Sequence, residues 1–475
     1  MKRISARRMA SACAITAASL AALAAPGAAS ASTGELCTGE STFGAGSSFQ
    51  ALAQQQVWSV DFNKAKEKSL FACDGEHGPT KGKPTITYES IGSGAGYKKW
   101  KEKLEYGKYG FIGTDNTVNK AEIEAVNAEQ EAGGKSKLMT IPVAQGAVAI
   151  IVHLPVGCTS TSTANAGNAK NAEGRLALND VTLEEIYNGQ INKWSQITSA
   201  NGGDAITCET PEESESAIIP VVRKDSSGTT HIFKRFLALI STQTFEMENI
   251  KEGKIIEGLT WGQAAEGPKS TAWPVAAKVL TPKNETGAGL AEEVYNTPGS
   301  IGYANLADAR ETEVEGKYKY DFVPPVGGKG TTTFWAELEN SSKTSKGKTT
   351  RTYADPSSNE DSATKAESNC KSTVYQNGTK VFPPPLLTEP WNEVTTELVS
   401  KTYALCGLTY DLALTNYAAY SAHGGNVKEA TTVQNYLNYV LDAVGGQAKI
   451  KKHDYLGLPI ELAEEARKGP GLIED

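Results

Sequence analysis

One pattern occurs three times in this chain: a strand-like run, a Ser/Gly loop, then an amphipathic helix. The copies occupy residues 41–58 (STFGAGSSFQALAQQQVW), 85–104 (TITYESIGSGAGYKKWKEKL) and 218–237 (IIPVVRKDSSGTTHIFKRFL). Each would aim backbone N–H groups and hydroxyls from a helix N-terminus, where the first amides lack partners and the dipole is positive. Such a terminus binds a small anion without much cationic charge. One copy alone would be an ordinary cap, because Ser and Gly favour helix starts. Three copies, with Arg223 in the third and Asp115 between the second and third, point to one oxyanion held from several sides.

Strand signals alternate with helical ones along the chain, which predicts an α/β architecture. Residues 50–66 read as a helix, 85–90 as a strand, 97–104 as the opening of a helix, and 109–114 as a strand ending on Asp115. Helix is expected over 121–130. Two apolar, β-rich runs follow, 137–143 and 146–154, with a break at Ala144-Gln145 where a domain crossover can sit. Thr182 to Glu185 spells a capping box that starts a helix through Tyr187. Residues 297–303 read as a turn into a strand. Two polar stretches, 159–174 and 341–380, read as surface insertions. The last apolar elements are 411–417 and 433–443, with an amphipathic helix over 458–468.

The first 31 residues read as an export signal: a basic start (Lys2, Arg3, Arg7, Arg8), an apolar run over 12–25, and Ala29-Ser30-Ala31 as cleavage site. No later segment reaches the roughly 20 apolar residues of a membrane span. The expectation is an exported protein, periplasmic or extracellular, with no lipobox before Cys37. The whole chain carries −8 and the signal holds four positive charges and no negative one, leaving −12 for the rest. That excludes a basic nucleic-acid footprint. It does not exclude anion binding, because local dipoles and one guanidinium act within a few Å while distant charge is screened beyond about 8 Å.

Beyond the signal stand Cys37, Cys73, Cys158, Cys208, Cys370 and Cys406. An even number in an exported chain reads as three disulfides. Of the fifteen possible pairings, the sequential one (37–73, 158–208, 370–406) clips local segments and is the expected one. No C-x-x-C exists and the five His are scattered, so neither a metal site nor a cofactor is expected.

In the first loop, Gly44 and Gly46 suit a tight turn, and Ser47 and Ser48 can donate hydroxyls. Residues 92–96 read GxGxG rather than the GxGxxG of dinucleotide folds, with Ser93 as the donor. The third loop is the densest: Arg223 can fork onto two oxygens, Asp225 can pin it, and Ser227, Gly228 and Thr229 open the next helix. A carboxylate such as Asp115 repels an anion unless that anion has a proton to donate. Phosphate always carries an O–H at neutral pH, and sulfate carries none. Asp115 would therefore admit phosphate and reject sulfate.

The pieces GAGSSF (44–49), YESIGSGAG (88–96), FIGTDNTV (111–118), TLEEIYNGQINKW (182–194), VVRKDSSGTT (221–230) and TPGSIGY (297–303) resemble, in this order, the extracytoplasmic phosphate-binding protein of phosphate ABC importers. The resemblance implies a two-lobed, type II periplasmic-binding-protein fold with discontinuous lobes, 32–143 plus 405–475 and 144–404, joined by hinge strands. It implies inorganic phosphate held by Ser48, the Phe49 N–H, Ser93, Asp115, Arg223, Ser227, the Gly228 N–H and Thr229, with Ser47 and Asp225 supporting. It further implies a monomer that performs no catalysis and delivers its ligand to a membrane permease. The rival functions are a secreted phosphatase, for which the acidic clusters are missing, and a receptor for another oxyanion such as sulfate or molybdate.

Overall fold

The computed structural model describes residues 39–63, 84–101, 107–130, 136–160, 176–198, 206–310, 313–314, 317–318, 332–357, 367–370, 374–376, 379–380, 383–391, 394–396, 402–418 and 425–474. The expected export signal, Cys37, Cys73 and most of the 159–174 insertion lie outside the described residues.

Eleven strands position the site and its surroundings. They are β1 (Thr42–Gly46), β2 (Ile86–Ser90), β3 (Tyr109–Thr114), β4 (Leu138–His153), β5 (Ile219–Pro220), β6 (Ser300–Asn305), β7 (Thr333–Trp335), β8 (Glu337–Ser345), β9 (Lys348–Ala354), β10 (Cys406–Leu414) and β11 (Tyr455–Leu456). Nine of them form one mixed sheet in the order β2-β1-β3-β10-β4-β6-β5, with β7 and β11 also paired to β4. β1 lies parallel between β2 and β3, so the chain crosses to one side and then to the other. In α/β sheets such a switch point opens a crevice beyond the carboxyl ends of the strands. The loops after Gly46, Ser90 and Thr114 all leave from those ends.

β4 is continuous over sixteen residues, all buried but His153. The expected break at Ala144-Gln145 is absent. Instead, Ala144 faces Thr409 and Pro142 faces Tyr410, so the register slips around Val143. Pro142 has no N–H to give a ladder, and a bulge is where a central strand tolerates proline. The first part of β4 pairs with β10 and the second with β6.

Five helices matter here: α1 (Ser93–Lys101), α2 (Asp180–Asn188), α3 (Gly228–Ile240), α4 (Gly287–Asn296) and α5 (Glu429–Leu441). α1 begins at Ser93 and not at Tyr97, because the Gly-rich loop is itself the first helical turn. The first loop leads into a helix over 51–63 whose stretch Ala53–Trp58 is π-helical. α2 is capped by Asn179, whose side chain accepts from the Thr182 N–H, so Thr182 lies inside the helix and is not its cap. Asn is as good a cap as Ser or Thr, and it stands three residues ahead of that amide.

All seven tryptophans of the chain are buried. Beneath α3, Phe233 stacks on Tyr303 at 4.5 Å and meets Tyr187 edge-on at 4.7 Å. The Tyr303 hydroxyl then pairs with Thr230 Oγ1 at 2.7 Å and accepts from the Arg223 N–H. This aromatic core thus sets the position of the third loop.

Disulfides join Cys158 to Cys208 and Cys370 to Cys406. Within the expected 341–380 insertion, β8 and β9 form a hairpin whose base carries the buried Leu338 and Ala354. Among the described residues no helix is long and apolar enough to cross a membrane, and no three His, Cys, Asp or Glu side chains could hold a metal ion.

Candidate functional site

Asp115 is the centre of the candidate site. It stands just past the end of β3 with only 4% of its surface exposed. Ser47 Oγ donates to both its oxygens at 2.5 and 2.6 Å, Thr409 Oγ1 to Oδ1 at 2.6 Å, and Ser93 Oγ to Oδ2 at 3.1 Å. Burial pushes the carboxyl up to about 6, although the three hydroxyls and the Arg223 charge pull the other way. Burial wins because three neutral donors do not replace the lost hydration of a carboxylate.

Arg223 is 1% exposed and faces Asp115 from the third loop. Its Nε and Nη2 donate to Asp225 Oδ1 and Oδ2, both at 2.6 Å, and Nη2 also to the Glu285 carbonyl at 2.8 Å. Nη1 reaches Ser48 Oγ at 3.2 Å. The forked edge of the guanidinium therefore grips Asp225 and not two oxygens of a ligand; the Nη1 side is what faces the first loop. Burial disfavours its charge, and the Asp225 carboxylate more than restores it.

The third loop presses onto the other two. A Cβ at Gly228 would lie 2.5 Å from Asp115 Oδ2 and from Ser93 Oγ. The Gly94 N–H donates to the Ser226 carbonyl at 3.0 Å, and a Cβ at Gly92 would meet Asp225 Oδ2 at 2.9 Å. All three loops thus converge, with Ser47, Ser48, Ser93, Asp115, Arg223, Asp225 and Gly228 within one cluster. Ser227 caps α3, its Oγ accepting from the Thr230 N–H. Thr229 Oγ1 is buried without a hydrogen-bond partner among the described residues. A buried hydroxyl left unpaired is costly, so this one has a donor free for a further partner. Phe49 contributes backbone only: its ring is core, and its carbonyl accepts from Tyr455 Oη at 2.7 Å and Asn305 Nδ2 at 2.5 Å.

Two expectations change in emphasis. Ser47, expected as a support, is the strongest hydroxyl partner of Asp115. Ser93 donates to that carboxylate and also accepts from the Asp115 N–H at 3.2 Å. Sequence reasoning missed Thr409, 294 positions from Asp115, and Tyr303 and Glu285, which hold Arg223. It also missed Gln50 and Gln54, one helical turn apart. Gln50 Nε2 donates to the Tyr410 carbonyl at 3.0 Å and Gln54 Nε2 to Asp411, which bolts the first loop's helix to β10. No local signal marks these residues except the i, i+4 spacing of the two glutamines.

A cavity of about 200 Å³ opens between Ile232 and Phe236 of α3 and Gly407 and Leu408 of β10. It touches Asp115, but neither Ser48 nor Arg223 lines it. The hydroxyl and guanidinium cluster is the candidate site, and the cavity is a mainly apolar space beside it.

Three loops that carry hydroxyls and helix N-termini meet around one buried arginine at a switch point of a mixed α/β sheet. The chain belongs to the PBP superfamily, whose domain matches residues 31–361. Among its relatives, the phosphate-binding protein PstS of Xylella fastidiosa is 28% identical over 275 residues, 57% of this chain and 55% of that protein. The phosphate-binding protein PstS 3 of Mycobacterium leprae is 30% identical over 281 residues, 58% and 57% of the two chains. The chain thus spans about half the length of the curated relatives it matches. The crystal structure of a phosphate binding protein from Stenotrophomonas maltophilia superposes with a TM-score of 0.54 over 90% of this chain and 93% of that one, at 18% identity. The fold is the two-lobed, type II binding-protein fold.

Proposed function

We propose that this protein is an extracytoplasmic receptor that binds inorganic phosphate between two lobes and delivers it to the permease of an ABC importer. The lobes comprise residues 32–143 with 405–475, and 144–404. β4, paired with β10 in one half and β6 in the other, is the natural hinge strand. Binding closes the hinge, the permease reads the closed form, and no bond in the ligand is broken. The names of the relatives support phosphate as the ligand.

The observation that carries this reading is the buried Asp115 carboxylate set against the α3 N-terminus with Arg223 opposite. A dehydrated dianion gains hydrogen bonds from the Gly228 and Thr229 amides, from Ser48 and Thr229 hydroxyls, and from Arg223 Nη1. Its remaining O–H donates to Asp115. Ser47 can release one of its two contacts to make room, since each carboxylate oxygen offers two acceptor sites. Asp225 holds the arginine in place.

Isothermal titration of the mature, phosphate-stripped protein tests the proposal. One-to-one heat with phosphate and none with sulfate at equal pH and ionic strength is expected. Absence of phosphate heat from folded, disulfide-intact protein would overturn it, as would turnover of a chromogenic phosphate ester. Gly228→Ala should lower phosphate affinity about five- to 150-fold by calorimetry and also lower the melting temperature of the ligand-free protein. The added methyl would strike Asp115 and Ser93 when the loops meet, and overpacking of that kind typically costs about 1–3 kcal/mol.

A further inference from the structure

The hairpin β8–β9 has two parts. Its base is anchored: Leu338 and Ala354 are buried, β8 pairs with the short strand Ala177–Leu178, and Asn340 Nδ2 donates to the Thr402 carbonyl at 3.1 Å. Beyond Asn340 it is a free ribbon. Residues 341–347, 349 and 350 are all exposed. The register runs from Ser341 opposite Thr352 to Ser345 opposite Lys348, and a two-residue turn at Lys346-Gly347 closes it with positive φ at both residues. At about 3.4 Å per residue the arm reaches roughly 15 Å from its base.

No residue from Ser341 to Thr352 is apolar. A two-stranded ribbon without a core is only marginally stable in water, so burial does not explain this arm. Cross-strand hydroxyl pairs hold it, Ser341 with Thr352 at 2.7 Å and Thr344 with Thr349 at 2.9 Å. The segment 341–354 carries Lys343, Lys346, Lys348 and Arg351 and no carboxylate, in a chain whose net charge is −8. Arg351 is paired with Glu339 at 3.2 Å. The register puts Ser341, Lys343, Thr350 and Thr352 on one face, a row of hydroxyls and an ammonium with Lys346 at the tip.

We propose that this hairpin is a docking arm for linear inorganic polyphosphate. Rows of hydroxyl and ammonium donors match successive phosphoryl oxygens, and the charge is complementary. The arm has no aromatic or aliphatic side chain to enter a bilayer, which favours a polymer over a lipid surface. The arm is separate from the Asp115 site, and the proposal stands whether or not that site takes phosphate.

The test uses the mature full chain, long-chain linear inorganic polyphosphate as probe, and saturating orthophosphate to occupy the cleft. Wild type should bind, with log affinity falling against log salt at a slope of about −2, since each lysine contact to a single-stranded polyanion contributes about −0.7. Between about 50 and 200 mM salt that is a roughly fifteenfold loss. The triple variant Lys343→Ser, Lys346→Asn, Lys348→Ser should lose binding and its salt slope while keeping the orthophosphate heat and melting temperature. Replacing the same three lysines by arginine should retain binding. The proposal is overturned if wild type does not bind the polymer at low salt, if the triple variant binds equally, or if vesicles of one part phosphatidylglycerol to three parts phosphatidylcholine bind in place of the polymer.

Discussion

Asp115→Asn should lower phosphate affinity and collapse the preference for phosphate over sulfate, by at least about a hundredfold in the ratio of dissociation constants. Rejection through an unpaired buried polar group can reach about 10⁴–10⁵. An amide presents both a donor and an acceptor, so a sulfate oxygen no longer meets an acceptor with nothing between them. The same variant should be more stable than wild type when ligand-free at neutral pH. In the folded protein the Asp115 carboxyl is pushed up to about 6 from 3.8 by burial. Between those values the native state binds the extra proton, so stability falls as pH rises from about 4 to about 6. Above that window the ionised group costs on the order of 3 kcal/mol, at about 1.4 kcal/mol per pKa unit. Asp115→Asn should abolish this slope in denaturation midpoints measured across the window. Wild type should in turn begin to accept sulfate as pH drops below about 6, because a protonated Asp115 becomes a donor. Unchanged discrimination in the variant, or sulfate exclusion in wild type at low pH, would remove Asp115 from the role proposed for it.

Arg223→Met should eliminate phosphate binding at concentrations that saturate wild type and should also destabilise the ligand-free fold. Truncating one member of a buried charged pair costs about 2–5 kcal/mol of affinity where the partner is the ligand, or at least about thirtyfold. Here it also strands Asp225, whose two oxygens lose both 2.6 Å contacts to the guanidinium. Breaking a buried pair in this way costs about 3–5 kcal/mol. The double variant Arg223→Met, Asp225→Leu should recover part of the stability and none of the binding, which separates the two roles by denaturation and calorimetry. Arg223→Lys should recover little of either. An ammonium cannot fork onto Asp225 while reaching Ser48 and the Glu285 carbonyl.

The fold was legible where the signal was local. β1 and β2 with their Ser/Gly loops, β3 ending before Asp115, and the helix after Arg223-Lys-Asp-Ser-Ser-Gly lie where the pattern places them. The errors are local competitions. The turn at Ser93 is already helical, Asn179 outranks Thr182 as a cap, and β4 runs unbroken through Ala144-Gln145 with a register slip around Val143. The hairpin at 337–354 was invisible to a reading based on apolar periodicity, because its distal half has no apolar residue to show a period of two.

The residue types of the anion loops were written in the chain because capping and dipole chemistry depend on a few consecutive residues. Arg223 and Asp225 were a readable pair for the same reason, two positions apart. What those groups face was decided only in three dimensions. Thr409 and Ser47 meet on Asp115 because β10 lies antiparallel beside β3 while β1 lies parallel on its other side. Gly228 reaches the same carboxylate because α3 is carried in on the aromatic stack under Tyr303. Strand order and register are set by the burial of whole faces across hundreds of residues. No short stretch of sequence carries that information, so the donors could be named in advance and their aim could not.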